Sequence, residues 1–179
     1  MAMFTISLLL CAVFPLSRAT ENTTVMENHM EQSSPAEVVK AEKWSRGSCP
    51  PGWLMYGARC FMFVRSGKTW MNAERYCVHF GANLASIHSS EEYHFVQELI
   101  LLQTEDFTCA WIGGFDAVQN RVWLWSDGSR FYYRNWVTGE PNNGGGREPC
   151  MVMNSGGEKR WNDVQCGSIF ASVCSKRLC

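Results

Sequence analysis

Apolar positions recur at helical spacing in two stretches of the chain. Between Thr69 and Phe80 they fall at Trp70, Ala73, Tyr76, Cys77 and Phe80, with Gly81 as a stop, which predicts a helix with one buried face. A second helix is predicted from Ser89, which forms a capping box with Glu92 in which each side chain satisfies a free backbone donor. It runs to about Leu102 and buries Tyr93, Val96, Leu99 and Ile100. Outside these stretches the pattern is that of short strands. Cys49-Pro50-Pro51-Gly52-Trp53 through Cys60 reads as a hairpin continued by Phe61–Val64, because Pro-Gly marks a turn. After Cys109, strands are expected at Trp111–Gly113 and Val122–Trp125, the latter closed by the turn Ser126-Asp127-Gly128-Ser129. Helices first and strands later predict an α+β fold, with two helices, short antiparallel sheets and a long loop at Thr138–Arg147.

The ends of the chain follow other rules. Phe4–Leu16 is almost wholly apolar and Ser17-Arg18-Ala19 supplies small residues for cleavage, so residues 1–19 read as a signal peptide, although the usual amino-terminal positive charge is missing. About 13 apolar residues fall short of the ~20 that span a bilayer, so no membrane anchor is expected and the protein is expected to be secreted. Residues 20–48 are polar, acidic and poor in aromatics, a flexible segment or pro-segment that cannot bury enough apolar surface to fold alone. Within it Asn22-Thr23-Thr24 is a glycosylation acceptor. Residues 49–179 form the single folded domain.

Charge narrows the function classes. With 16 basic and 17 acidic residues and no basic run, nucleic acid and anionic membrane are not expected as partners. No Ser-His-Asp, Cys-His or adjacent zinc-ligand arrangement is visible, so the chain is not expected to be an enzyme. His88 and His94 flank the start of the second helix as polar surface residues. Of nine cysteines, loss of Cys11 with the signal leaves eight, an even number that argues for a disulfide framework. Trp123 and Trp125 sit at strand spacing and are expected in the core, and Trp161 is expected to anchor its strand.

The candidate chemistry lies in the long loop and just beyond it. Glu140, Asn142, Glu148, Asn162 and Asp163, bracketed by Cys150 and Cys166, offer three carboxylates and two amides. A hard divalent cation takes six to eight oxygens, so this set reads as a calcium site with coordination positions left for a vicinal diol.

These residues resemble one family, the C-type lectin-like domain in its long form. The resemblance runs from Cys49 to Cys174 and is carried by Cys49, Cys60, Cys77, Trp111-Ile112-Gly113-Gly114, the Trp125-to-Gly128 turn, Glu140-Pro141-Asn142, Trp161-Asn162-Asp163, Cys150, Cys166 and Cys174. The opening Cys-Pro-x-Gly-Trp is most similar to fish lectins of the ladderlectin and lactose-binding types and to type II antifreeze proteins. The resemblance implies the bridges Cys49–Cys60, Cys77–Cys174 and Cys150–Cys166. It leaves Cys109 and Cys179 to pair with each other, or Cys179 to bridge to another chain.

It also implies that Glu140, Asn142, Glu148, Asn162 and Asp163 ligate one calcium ion and bind carbohydrate, with Pro141 in the cis form. The Glu-Pro-Asn arrangement resembles that of members preferring mannose-type sugars, whereas Gln-Pro-Asp goes with galactose. A second calcium site of some relatives is not expected, because only Asp116 matches while Asn120, Asn143 and Pro149 replace acidic residues. The implied function is a secreted lectin that recognises glycans on microbial or cell surfaces and agglutinates microbes in innate defence, as a disulfide-linked or non-covalent homo-oligomer. The alternatives are an ice-binding protein of the type II antifreeze kind and a galactose- or lactose-binding lectin.

Overall fold

The computed structural model of the protein describes residues 48–178. The expected signal peptide at 1–19, all but Ser48 of the expected flexible segment 20–48 with Asn22, and Cys11 and Cys179 lie outside the described residues.

Helix α1 spans Trp70–His79, with Thr69 as N-cap accepting from the Asn72 amide and Phe80 as C-cap, and it buries Trp70, Ala73 and Cys77. Helix α2 spans Ser90–Thr104 and buries Tyr93, Val96, Leu99 and Ile100. It runs past Leu102 to its C-cap Glu105, whose left-handed backbone at φ 60 ends the helix while its amide donates to the Leu101 carbonyl at 2.8 Å. The capping box at its start is only half formed. Ser89 Oγ accepts from the Glu92 amide at 3.1 Å. Glu92, however, does not return to Ser89: one of its oxygens accepts from the His88 amide at 2.7 Å and the other from Arg59 at 2.7 Å. A buried ion pair has drawn the carboxylate one residue off the capping geometry.

The strands are β1 Leu54–Tyr56, β2 Arg59–Lys68, β3 Asn83–Leu84, β4 Ala110–Phe115, β5 Leu124–Trp125, β6 Cys150–Ser155, β7 Arg160–Val164 and β8 Phe170–Arg177. They join one sheet in the order β1-β2-β8-β4-β6-β7, with β3 beside β8 and β5 beside β4. The pairing is antiparallel except between β4 and β8, which run parallel and bring the carboxyl-terminal strand to the middle. The strand expected at Val122–Trp125 is reduced to Leu124–Trp125. Arg121 is left-handed at φ 64, and the Val122 amide donates to Gln119 at 3.0 Å, so Val122 belongs to a turn.

The core lies between the sheet and the helices. Phe61, Val96, Leu99, Ile100, Ile112, Met151 and Met153 are buried in it, each contributing roughly 1.5–3 kcal/mol. Trp123 and Trp125 belong to the same core, at 8% and 2% exposure, as their strand spacing predicts. Gly113 permits β4 to approach β3, since a Cβ there would stand 2.6 Å from the Leu84 carbonyl oxygen.

Three disulfides tie this frame. Cys77–Cys174 joins α1 to the central strand across a separation of 97 residues, a loop length that corresponds to ~4–5 kcal/mol in the chain-entropy account. Cys49–Cys60 closes the amino-terminal hairpin, and Cys150–Cys166 clamps the base of the β6–β7 hairpin. Cys109 is a half-buried thiol with no disulfide partner among the described residues, and burial pushes its pKa up to about 11.

Candidate functional site

The site is built on the β6–β7 hairpin and the loop that precedes it, and Trp161 anchors both. This fully buried ring meets Trp125, Tyr133 and Trp136 edge-on at 5.7, 5.5 and 5.8 Å. Its backbone amide donates to the Asn135 carbonyl at 2.8 Å, and its carbonyl accepts from Val137 at 2.9 Å. The entry to the loop and the strand carrying Asn162 and Asp163 are therefore fixed to one point of the core.

From that anchor the side chains gather the loop. Buried Asp163 accepts from the backbone amides of Asn142 and Asn143, at 3.1 and 2.7 Å. Glu140 folds over the cis Glu140–Pro141 bond onto Asn142, accepting from its backbone amide at 2.9 Å and its side-chain amide at 2.8 Å. Glu148 accepts from the Gly144 amide at 2.5 Å. Gly144 is required there, because a Cβ would stand 2.6 Å from the same Glu148 oxygen.

The structure thus brings Glu140, Asn142 and Asp163 together and holds Glu148 on the far limb of the same loop. Asn162 lies next to Asp163 on β7, opposite Val152 on β6. Among the described residues, no three carboxylate, His or Cys side chains converge within the reach of one ion. The carboxylates are each turned onto N–H groups of the loop.

The donor inventory shows what the site lacks. Among the described residues the ion pairs are Arg59 with Glu92 and Asp127, and Arg160 with Glu158, so none reaches Glu140, Glu148 or Asp163. Burial first, and then the neighbouring Asp163 and Glu148, hold the Glu140 carboxyl above the usual glutamate range, against an opposing hydrogen bond from Asn142. Asn162 Oδ1 is buried with no hydrogen-bond partner. Unpaired buried oxygens are costly, and an oxygen-only set of carboxylates and amide carbonyls matches a hard cation. The residues fit calcium by their chemistry.

Asn143 and Asn120 acquire a role that the sequence does not announce. Asn143, left-handed at φ 50, accepts from the Glu148 amide at 3.1 Å through Oδ1 and donates to Asn120 Oδ1 at 3.0 Å through Nδ2. It pins the Glu148 limb to the turn at 116–121. An Asn ahead of three glycines signals a turn, but its partner lies 23 residues away. Asp116 faces its own turn, accepting from the Arg121 amide at 2.7 Å.

Comparison with known proteins places this geometry. The family model of the Lectin C-type domain matches residues 66–176. The chain is 55% identical to Ladderlectin of Oncorhynchus mykiss over 177 residues, covering 96% of this chain and 92% of that protein. It is 42% identical to Lactose-binding lectin l-2 of Anguilla japonica over 136 residues, covering 74% and 80%. Among solved structures it resembles herring type II antifreeze protein, with a TM-score of 0.68 and 41% identity over 73% of this chain and 100% of that one. These relatives are lectins and antifreeze proteins, families without enzymes, and the chain is not an enzyme.

Proposed function

We propose, from the premise that the chain belongs to the C-type lectin domain family, that it is a secreted, calcium-dependent lectin for mannose-type glycans. The single observation that carries the reading is the loop's unanswered negative charge: Glu140, Glu148 and Asp163 have no basic partner among the described residues, and Asn162 Oδ1, next to Asp163 on β7, is buried without a hydrogen-bond partner. Glu140, Asn142, Glu148, Asn162 and Asp163 would hold the ion.

When bound, calcium supplies an electropositive centre with positions open to two neighbouring sugar hydroxyls. The chain's residues complete those hydroxyls' hydrogen bonding. Carboxylate oxygens of Glu140 and Glu148 accept their protons, and the amides of Asn142 and Asn162 donate to their oxygens. The Glu-Pro-Asn order supports mannose, N-acetylglucosamine or fucose as ligand. A single shallow site binds weakly, so recognition of microbial or cell-surface glycans rests on several sites in a homo-oligomer, where linkage raises avidity by about 10² to 10⁴. Removal of residues 1–19 and glycosylation at Asn22 belong to the same reading of a secreted defence protein.

The test is retention on immobilised mannose in calcium, with release by EDTA and loss of retention in Glu140→Ala. Retention that ignores EDTA would sink the calcium mechanism. Two relatives favour other ligands and set the parallel arms. A lactose column tests the reading drawn from the eel protein's name, and nanolitre osmometry for thermal hysteresis tests the reading drawn from the herring antifreeze protein.

A further inference from the structure

A cavity of about 420 Å³ lies between the end of β8, the turn around Ala82 and the turn around Gly128, lined by Arg59, His88, Asp127, Lys176 and Arg177. Its place in the fold is remote from the long loop. Arg59 begins β2 and Lys176–Arg177 end β8, whereas Asp163 lies on β7 at the other end of the strand order.

The cavity's own acid is already saturated. Asp127 Oδ1 accepts from the Ser129 amide and hydroxyl, and Oδ2 accepts from Ser86 Oγ with Arg59 at 3.9 Å. Arg59 is spent as well. Its two terminal nitrogens donate to Glu92, to the Ser86 carbonyl and hydroxyl and to Ser175, so both are used inside the protein. Because Ser86 and Ser129 give their protons to Asp127, His88 Nε2 near both must act as donor, and it presents no acceptor there.

What remains is donor capacity. The Lys176 ammonium is pinned by the Phe80 carbonyl at 3.1 Å and by the face of Trp53 at 4.5 Å, and it keeps N–H groups to spare. Exposed Arg177 has no carboxylate partner among the described residues. Arg59 is answered by Glu92, so Lys176 and Arg177 are the lining cations left to a ligand, in a space large enough for a small molecule.

The geometry points to a second ligand site, independent of calcium, that takes an oxyanion, the sulfate or phosphate group of an acidic glycan, on Lys176 and Arg177. The inference does not rest on the calcium reading and stands or falls separately from it. Bidentate arginine and a preplaced ammonium are the donors such groups select.

Calorimetric titration of the full chain in EDTA with galactose 6-sulfate, plain galactose and inorganic sulfate tests it. Saturable binding of the sulfated sugar is expected, with no binding of galactose and with competition by inorganic sulfate. Arg177→Gln, a change on an exposed side chain, and Arg177→Gln with Lys176→Gln should weaken it by ~tenfold or more, while Glu140→Gln leaves it unchanged. The proposal is overturned by absence of binding, by binding that needs calcium, by failure of sulfate to compete, or by an affinity that Arg177→Gln does not move. Free sulfate binding with the same affinity as the sulfated sugar would overturn the assignment of the site to a glycan.

Discussion

Two clusters of carboxylates in this molecule use the same residue types to opposite ends. Glu92 and Asp127 surround Arg59, which bonds Glu92 at 2.7 Å with side-chain exposures of 16% and 7%. Every charge there is answered inside the protein. Glu140, Glu148 and Asp163 gather around backbone amides with no basic side chain in reach among the described residues. The first cluster holds the fold, and the second has no counter-charge of its own, as the proposed ion site requires. Counter-charge, more than residue identity, separates a structural acid from a ligand-binding one.

The largest effect should come from breaking the paired cluster. Arg59→Met leaves Glu92 buried and alone and removes bonds to Ser86 and Ser175, an expected loss of ~3–5 kcal/mol. Urea unfolding with disulfides intact measures it. Mannose affinity of the remaining folded protein should not change, and a change would mean the two clusters are coupled. Next comes the clamp beneath the unpaired cluster. Cys150→Ser with Cys166→Ser opens a bridge of separation 16, which is worth ~3 kcal/mol by loop length. Calcium affinity should fall with it, since β7 then holds Asp163 less firmly.

Charge removal should act in the opposite sense in the two clusters. Glu140→Gln is expected to cost ~100-fold or more in calcium affinity, beyond what an outer-shell partner costs. The calcium-free protein should nonetheless unfold no more easily, because Asp163 and Glu148 lose a like-charged neighbour. Calorimetry with calcium and a thermal melt in EDTA test the two halves. Asn143→Ala is a smaller step. It cuts the link from Asn120 to the Glu148 limb and should lower calcium affinity by ~tenfold. An unchanged affinity would show that the limb is held without it.

The sequence made the local features of both clusters legible and hid their long-range ones. Helical spacing identified α1 and α2, and strand spacing put Trp123 and Trp125 in the core. The oxygen-bearing side chains of the loop were readable because Glu140, Asn142 and Glu148 lie within one short segment that has no apolar period. The Arg59 network was not readable, because its partners lie 33 and 27 residues away at Glu92 and Ser86 and 116 away at Ser175. The misjudged cap at Ser89 follows from the same distance: Arg59 redirects Glu92, and no local pattern announces it. The Asn120–Asn143 link was missed in turn, since only a missing acid was visible at each position.

Acid should separate the clusters with the smallest effect and the clearest sign. Burial opposes the Asp127 charge, but bonds from Ser129 and Ser86 and the Arg59 charge outweigh it and hold its carboxyl below the usual aspartate range. Its stabilising contribution is thus full above the unfolded value and is lost as pH falls through the lower folded value. Glu140 is raised, so the calcium-free folded state takes up its proton first, and folding gains stability as pH falls through that raised value toward the unfolded one. The same proton competes with calcium, and ion affinity should therefore begin to fall at a pH above that of an ordinary glutamate. Calcium affinity measured from neutrality into mild acid tests this, with Glu140→Gln as the control whose curve should be flatter over the upper part of the range. Asp127→Asn should flatten only the acid-unfolding curve, at lower pH, and leave the calcium curve in place. If Asp127→Asn moves the calcium curve as well, the separation of paired from unpaired acids fails as an account of which of them bind the ion.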